Sequence, residues 1–235
     1  MWPATVNELI EVQHALAQAT PDPWRPTPGG PPAIGAAVVV FARGQTGAGA
    51  RGDPAWSAAA VLQRRQVMAE ATVTGAAAGP YAPGLLALRE GLCLESALRA
   101  LAVAPDVLLV DATARDHPRR AGLALQLGAV AGMPTVGVTH RPLLARGAWP
   151  DDERGACSPL VLDGERVGAW LRTRRGARPL AVHPGWSTTL KVAVDIVMMA
   201  SQGHRTPEPF RHARRLARLA RAHATSTVAR RASGE

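Results

Sequence analysis

VLLVDATARDHPRR, residues 107–120, sets a run of four apolar residues against a carboxylate, Asp111, and then a polar turn through His117, Pro118, Arg119 and Arg120. The run is flanked by LLALREGLCLESALRALA (85–102) and AGLALQLGAVAG (121–132), both helical in pattern. A short apolar run between two helices is a buried strand of an α/β sheet. Proteins of that class build their sites beyond the carboxyl ends of the strands. Asp111 stands at such an end, either as a cap for the turn that follows or as a ligand. One carboxylate does not hold a hard cation, which takes several oxygens, usually from separate elements. Glu90, a few residues into the helix after GPYAPG (79–84), is the second candidate, with a solvated helix face as its plainer reading. Asp116 is a third, if the turn after Asp111 folds back.

Working outward, residues 5–19 have helical periodicity, and TPDPWRPTPGGPP (20–32) ends that helix. AIGAAVVVF (33–41) is a valine-rich apolar run and the next strand. WSAAAVLQ and RRQVMAEATV (56–73) follow as two more, with an alanine content unusual for strands. PTVGVTH (134–140) is a strand, VLDGERVGAWLRT (161–173) a hairpin about Asp163-Gly164, and PLAVHP (179–184) another strand. Residues 187–202 and 209–223 are helices. The last carries Phe210, Ala213, Ala217 and Ala220 on one side and Arg211, Arg215 and Arg218 on the other. The expectation is one α/β domain over residues 1–223 with a mixed sheet flanked by helices, and a frayed tail over 224–235.

Composition bounds the function. The chain has 235 residues, 47% hydrophobic and 19% charged, which describes a globular domain with a full core. Lys191 is the only lysine among 27 basic residues. Enrichment in both alanine and arginine matches GC-rich coding, so part of the arginine signal is compositional. The formal charge of +9 is nevertheless unevenly placed: residues 203–235 hold eight arginines against Glu208 and Glu235. Such a face attracts nucleic-acid phosphates or is simply solvated; both readings stay open. Cys93 and Cys157 are isolated, with no disulfide framework. The opening MWPATVNELIEVQ lacks the pattern of a signal peptide, and AIGAAVVVFA (33–42) is far short of a membrane span. A cytoplasmic monomer with no membrane partner is expected.

Three segments, GPYAPGLLALREG (79–91), PDVLLVDATARDHPRRAGLALQLGAVAGMPTVGV (105–138) and GHRTPEPFRHA (203–213), resemble the endonuclease V family. Its pattern runs PYIPG…FRE, then VDG-x-G…HPR…GLA, then PT-x-GVAK, and later G-x-R-x-PEP. Each motif is weak alone, but their order and spacing together are specific. The resemblance implies a ribonuclease H-like fold and a DNA-repair activity. That activity is Mg²⁺-dependent hydrolysis (Mn²⁺ as an alternative) of a phosphodiester near deaminated adenine, inosine, in DNA, or alternatively in RNA. Carried onto this chain, Glu90 and Asp111 match catalytic metal-site carboxylates. Tyr81, between Pro80 and Pro83, matches the aromatic of a wedge that opens the duplex, and the prolines stiffen it. His117, Arg119 and Arg120 match the HPR segment, expected near phosphate at a helix start.

Departures from the family pattern are as informative. Val38 takes the place of the first-strand Asp in a G-x-D-x-x-F pattern, and valine cannot ligate a cation. His140 replaces the lysine after PT-x-GVA and carries charge only when protonated. Trp186, in Gly185-Trp186-Ser187, replaces a histidine. VDATA replaces VDG-x-G, placing methyl groups where glycines let the backbone approach. The function expected is therefore an endonuclease V-like nuclease, with the alternative of an impaired homologue that binds nucleic acid without cutting it.

Overall fold

Eight strands form a single sheet in the order β3-β2-β1-β4-β5-β8-β7-β6. They are β1 (Ile34–Phe41), β2 (Pro54–Gln63), β3 (Gln66–Ala76), β4 (Val107–Val110), β5 (Thr135–Thr139), β6 (Cys157–Leu162), β7 (Glu165–Leu171) and β8 (Leu180–Pro184). The structure is a computed structural model describing residues 2–44 and 47–233, with side chains as far as Ser226. β1, β4 and β5 are parallel neighbours, and every other pairing is antiparallel. The sheet is therefore mixed, as expected. Its parallel centre brings the carboxyl ends of β1, β4 and β5 to one edge, with Asp111 directly after β4.

Helices cover both faces. α1 (Val6–Gln18), α2 (Leu86–Arg99) and α3 (Leu123–Ala131) lie on one. Their core joins Leu9, Leu94, Leu98, Leu123 and Leu127 to Ala37, Leu108 and Val110 of the sheet. On the other face, α4 (Leu190–Ser201) and α5 (Glu208–Ser233) pack Ile196, Val197, Phe210, Ala213 and Ala217 over Ala36, Val38, Ala58 and Val182. β2 is buried along nearly its whole length. Its alanines are strand residues because helices press on both sides of them: Ala59 packs with the α2 group and Ala58 and Ala60 with the α5 group. Small side chains there let α5 sit close to the sheet.

One boundary differs from expectation. α5 does not end near residue 223 but continues through the segment expected to fray, as far as Ser233. The remainder of the expected tail, residues 234–235, lies outside the described residues.

Candidate carboxylate and nucleic-acid site

Asp111 leaves β4 just beyond the register pair Ala37–Val110, so it emerges at the sheet edge. Glu90 comes from the second turn of α2, which packs on the β1 face carrying Ala37 and Val39. The two carboxylates are electrostatically coupled. Burial, and then the negative charge of Asp111, raise Glu90 from 4.5 to about 7.

The third carboxylate is missing. Val38 is buried in the apolar layer beneath α5, paired with Ala58, and its neighbour Val39 faces the α2 side. No residue of IGAAVVVF offers a carboxylate to the edge. Asp116 does not converge on Asp111 either. It is fully buried, and its two oxygens accept hydrogen bonds from the backbone N–H groups of Leu143 (2.6 Å), Leu144 (2.8 Å) and Ala145 (2.7 Å). Asp116, expected as a possible metal ligand, thus has both oxygens engaged by three consecutive amides, and it pins the loop after β5. Among the described residues no group of three or more His, Cys, Asp or Glu side chains is arranged to hold a metal ion.

A guanidinium stands where a cation would be expected. Nη2 of Arg214, from the second turn of α5, donates to Oδ2 of Asp111 at 2.8 Å. Two carboxylates, one of them engaged by an arginine, are a poor donor set for Mg²⁺, which wants near-octahedral oxygen coordination. The residues present do not fit the expected divalent cation.

His140 behaves as an acceptor. Arg205 donates from Nη1 to its Nδ1 at 3.0 Å, and burial followed by the charge of Arg205 lowers the imidazole's affinity for a proton. Arg205 thus stands as a positive charge beside the position where the family pattern has a lysine. Trp186 packs with the α2–α3 core and against Gly128, with its backbone N–H on Thr135. The Ala112 and Ala114 methyls of VDATA are buried in that same core.

The Tyr81 loop is held at both ends by hydrogen bonds. Tyr81 is 48% exposed at the tip of the loop, and its N–H donates to the Ala48 carbonyl at 2.7 Å. At the loop's end the Gly84 carbonyl accepts from Gln13 Nε2 of α1 (3.1 Å), Arg119 Nη2 (2.8 Å) and His117 Nε2 (3.1 Å). Burial lowers His117 to about 4, so it is neutral, and its Nδ1 accepts from the Arg119 N–H. That leaves the proton on Nε2, which must donate to Gly84. Arg120 turns the other way, onto Asp163 (3.0 Å) and Glu165 (3.4 Å) of the β6–β7 hairpin. The N–H groups of Gly122 and Ala124, where α3 begins, are taken by the Ala114 and Thr113 carbonyls. In the structure this segment clamps the Tyr81 loop, through His117 and Arg119, and braces the hairpin, through Arg120.

Between the loop and Asp111 lies a pocket of about 180 Å³, lined by Tyr81, Ala82, Leu86, Asp111, Thr139 and Leu143 among others. Leu86, Thr139, Leu143 and Arg214 were not singled out as site residues by the sequence. PEPFRHARR places Arg214 on α5, but only the docking of α5 on the sheet selects it, from several arginines, for Asp111.

A protein-family model described as Endonuclease V matches residues 42–215. Endonuclease V of Streptomyces coelicolor is 37% identical over 222 residues, covering 93% of this chain and 92% of the relative. The crystal structure of endonuclease V from Streptomyces avermitilis superposes with a TM-score of 0.84 at 35% identity, covering 95% of this chain and 96% of that one. Another, of a Ciona intestinalis endonuclease V variant in complex with a 23mer DNA containing an inosine followed by a ribo-adenosine, is 20% identical. Its TM-score is 0.79, over 93% of this chain and 98% of that one. The mixed, helix-flanked sheet is the ribonuclease H-like fold expected, and with the matching motifs in order across it, this chain belongs to the endonuclease V family.

Proposed function

We propose that this protein binds nucleic acid as its family does, around a base displaced by the Tyr81 loop, and that its carboxylate pair does not form a working divalent-cation nuclease centre. The observation that carries this reading is the ion pair between Arg214 and Asp111, set beside a first strand with no carboxylate. A guanidinium satisfies one carboxylate oxygen and repels a second cation, so Mg²⁺ or Mn²⁺ has to displace it and then manage with too few ligands. Binding needs none of this. Tyr81 projects from a loop fixed at both ends, and the adjacent pocket has room for an extruded base. The inosine-containing DNA bound by the Ciona relative supports inosine-containing DNA as the partner here.

A second reading is favoured by one observation, the survival of Glu90 and Asp111 as an interacting pair on separate elements. In that reading they still hold Mg²⁺ or Mn²⁺ and a phosphodiester near inosine is hydrolysed. One experiment separates the two: an inosine-containing duplex is incubated with excess protein in Mg²⁺ or Mn²⁺, and nicking and binding are scored together, with an RNA arm alongside. The proposal expects binding at about 50 mM salt that survives Glu90→Ala and Asp111→Ala, and no nick. Nicking by the wild type that Asp111→Ala abolishes would overturn it in favour of the second reading. Absence of binding by the folded wild type ends both.

A further inference from the structure

A second concavity, about 680 Å³ against about 180 Å³ for the pocket beneath Tyr81, runs along α5. Its walls bring together Arg43 from the end of β1, Arg205 from the turn before α5, and Arg211, Arg214, Arg215 and Arg218 of α5 itself. A smaller concavity sharing Arg43 and Ala222 continues it to Arg221, Thr225 and Ser226. No carboxylate lines either one. Arg214 is tied to Asp111, Arg211 to Glu208, and Arg205 to backbone carbonyls. Among the described residues the side chains of Arg43, Arg215 and Arg218 make no hydrogen bond or ion pair.

The fold does not benefit from this array. Arg211 with Arg215, and Arg214 with Arg218, are like charges one helical turn apart, an arrangement that costs a few tenths of a kcal/mol per pair, roughly. GC-rich coding explains exposed arginines scattered singly. It does not explain Arg43 arriving from a different element to complete the wall. A polyanion does compensate the array. From Arg211 to Thr225 the helix rises about 21 Å, on the order of six phosphates of one DNA strand at about 3.4 Å each along the axis. No Phe, Tyr or Trp lines the groove, and its one imidazole, His204, stands among six arginines, so the contact offered is mainly to backbone. Arg214 belongs both to this groove and to the small pocket that holds Asp111 and His140, so the two sites are continuous.

We propose that the α5 groove is a track for the phosphate backbone of one nucleic-acid strand leading away from the Asp111 edge, sequence-independent and distinct from the Tyr81 loop. The proposal rests on the nucleic-acid-binding reading above and adds where, and through which residues, the backbone is gripped.

The test is the salt dependence of binding to fluorescein-labelled duplexes with and without inosine. It compares the wild type, Arg43→Ala/Arg215→Ala/Arg218→Ala and Tyr81→Ala. All three positions in the triple variant are surface arginines, and circular dichroism with thermal melting verifies its fold. The expected result is a plot of log K against log salt that is shallower by about 2 to 3 for the triple variant, with equal losses on both duplexes. Tyr81→Ala should keep the wild-type slope and lose preference for inosine. A folded triple variant with the wild-type slope and affinity would overturn the track while leaving nucleic-acid binding standing. A wild type that binds neither duplex would remove the underlying reading and the track with it. Displacement of duplex by inorganic tripolyphosphate at near-stoichiometric concentration would reassign the groove to a small polyphosphate and likewise overturn the proposal.

Discussion

Glu90 concentrates what single residues decide here. Its folded-state value of about 7 lies above the ordinary 4.5, first through burial and then through Asp111. Between those values the folded chain holds a proton that the unfolded chain releases, so the contribution of Glu90 to stability falls as pH rises through that window. In metal-free buffer Glu90→Gln should therefore gain on the wild type by about 1–3 kcal/mol between pH 5 and pH 8, read from urea unfolding at both values. Parallel pH profiles for the two proteins would instead place Glu90 in solvent. Asp111 was legible because a strand-end carboxylate after VLLV has few places to go. Asp116 was not: its three partners are amides of residues 143–145, and backbone donors of a remote loop leave no mark in a sequence. His117 and Arg119 stood out in the sequence as a basic turn, but their hold on the Gly84 carbonyl was not legible there, since a basic turn looks the same whatever it faces.

At the scale of elements, periodicity was sufficient for nearly every strand and helix, because burial on one or two faces imposes a period of 2 or 3.6 on the apolar residues. The alanine-rich β2 was legible as a strand from its position between strand-like runs, although its composition argued against it. Its reason is tertiary: α2 and α5 approach from both sides. α5 depends on one large anchor. Phe210, 2% exposed, fixes the helix start against the sheet, with Ala213 and Ala217 continuing the contact. Phe210→Ala should cost about 3–5 kcal/mol in urea unfolding. It should also loosen the hold of Arg214 on Asp111 and weaken nucleic-acid binding before any global unfolding. A loss below about 1 kcal/mol would mean that α5 is held mainly by its polar contacts, such as His212 to Glu70.

The whole molecule separates two kinds of surface. The Tyr81 loop and its pocket sit at the carboxyl edge of the parallel strands, while the arginine groove extends that edge along α5. Much of the +9 charge lies in the C-terminal segment, so association should be steered toward that side and weaken steeply with salt. With about six phosphates engaged, affinity for any duplex should fall on the order of a thousandfold between about 50 and 200 mM salt, as measured by fluorescence anisotropy. A fall of less than fivefold would show that the charge is solvated rather than used. Among the described residues no helix is long and apolar enough to cross a membrane.

The sequence by itself determined the order of strands and helices, the family, the pair Glu90 and Asp111, and the loss of a carboxylate from the first strand. All of these depend on residue type and local spacing, which the chain carries explicitly. Only the tertiary structure decided that Arg214 faces Asp111, that Asp116 serves a loop, that HPRR clamps the Tyr81 segment, and that six arginines from separate parts of the chain share one groove. Those outcomes depend on how α5 and the long loops dock on the sheet. That docking is set by side-chain volumes and backbone hydrogen bonds between residues far apart in the chain, where sequence spacing carries no information.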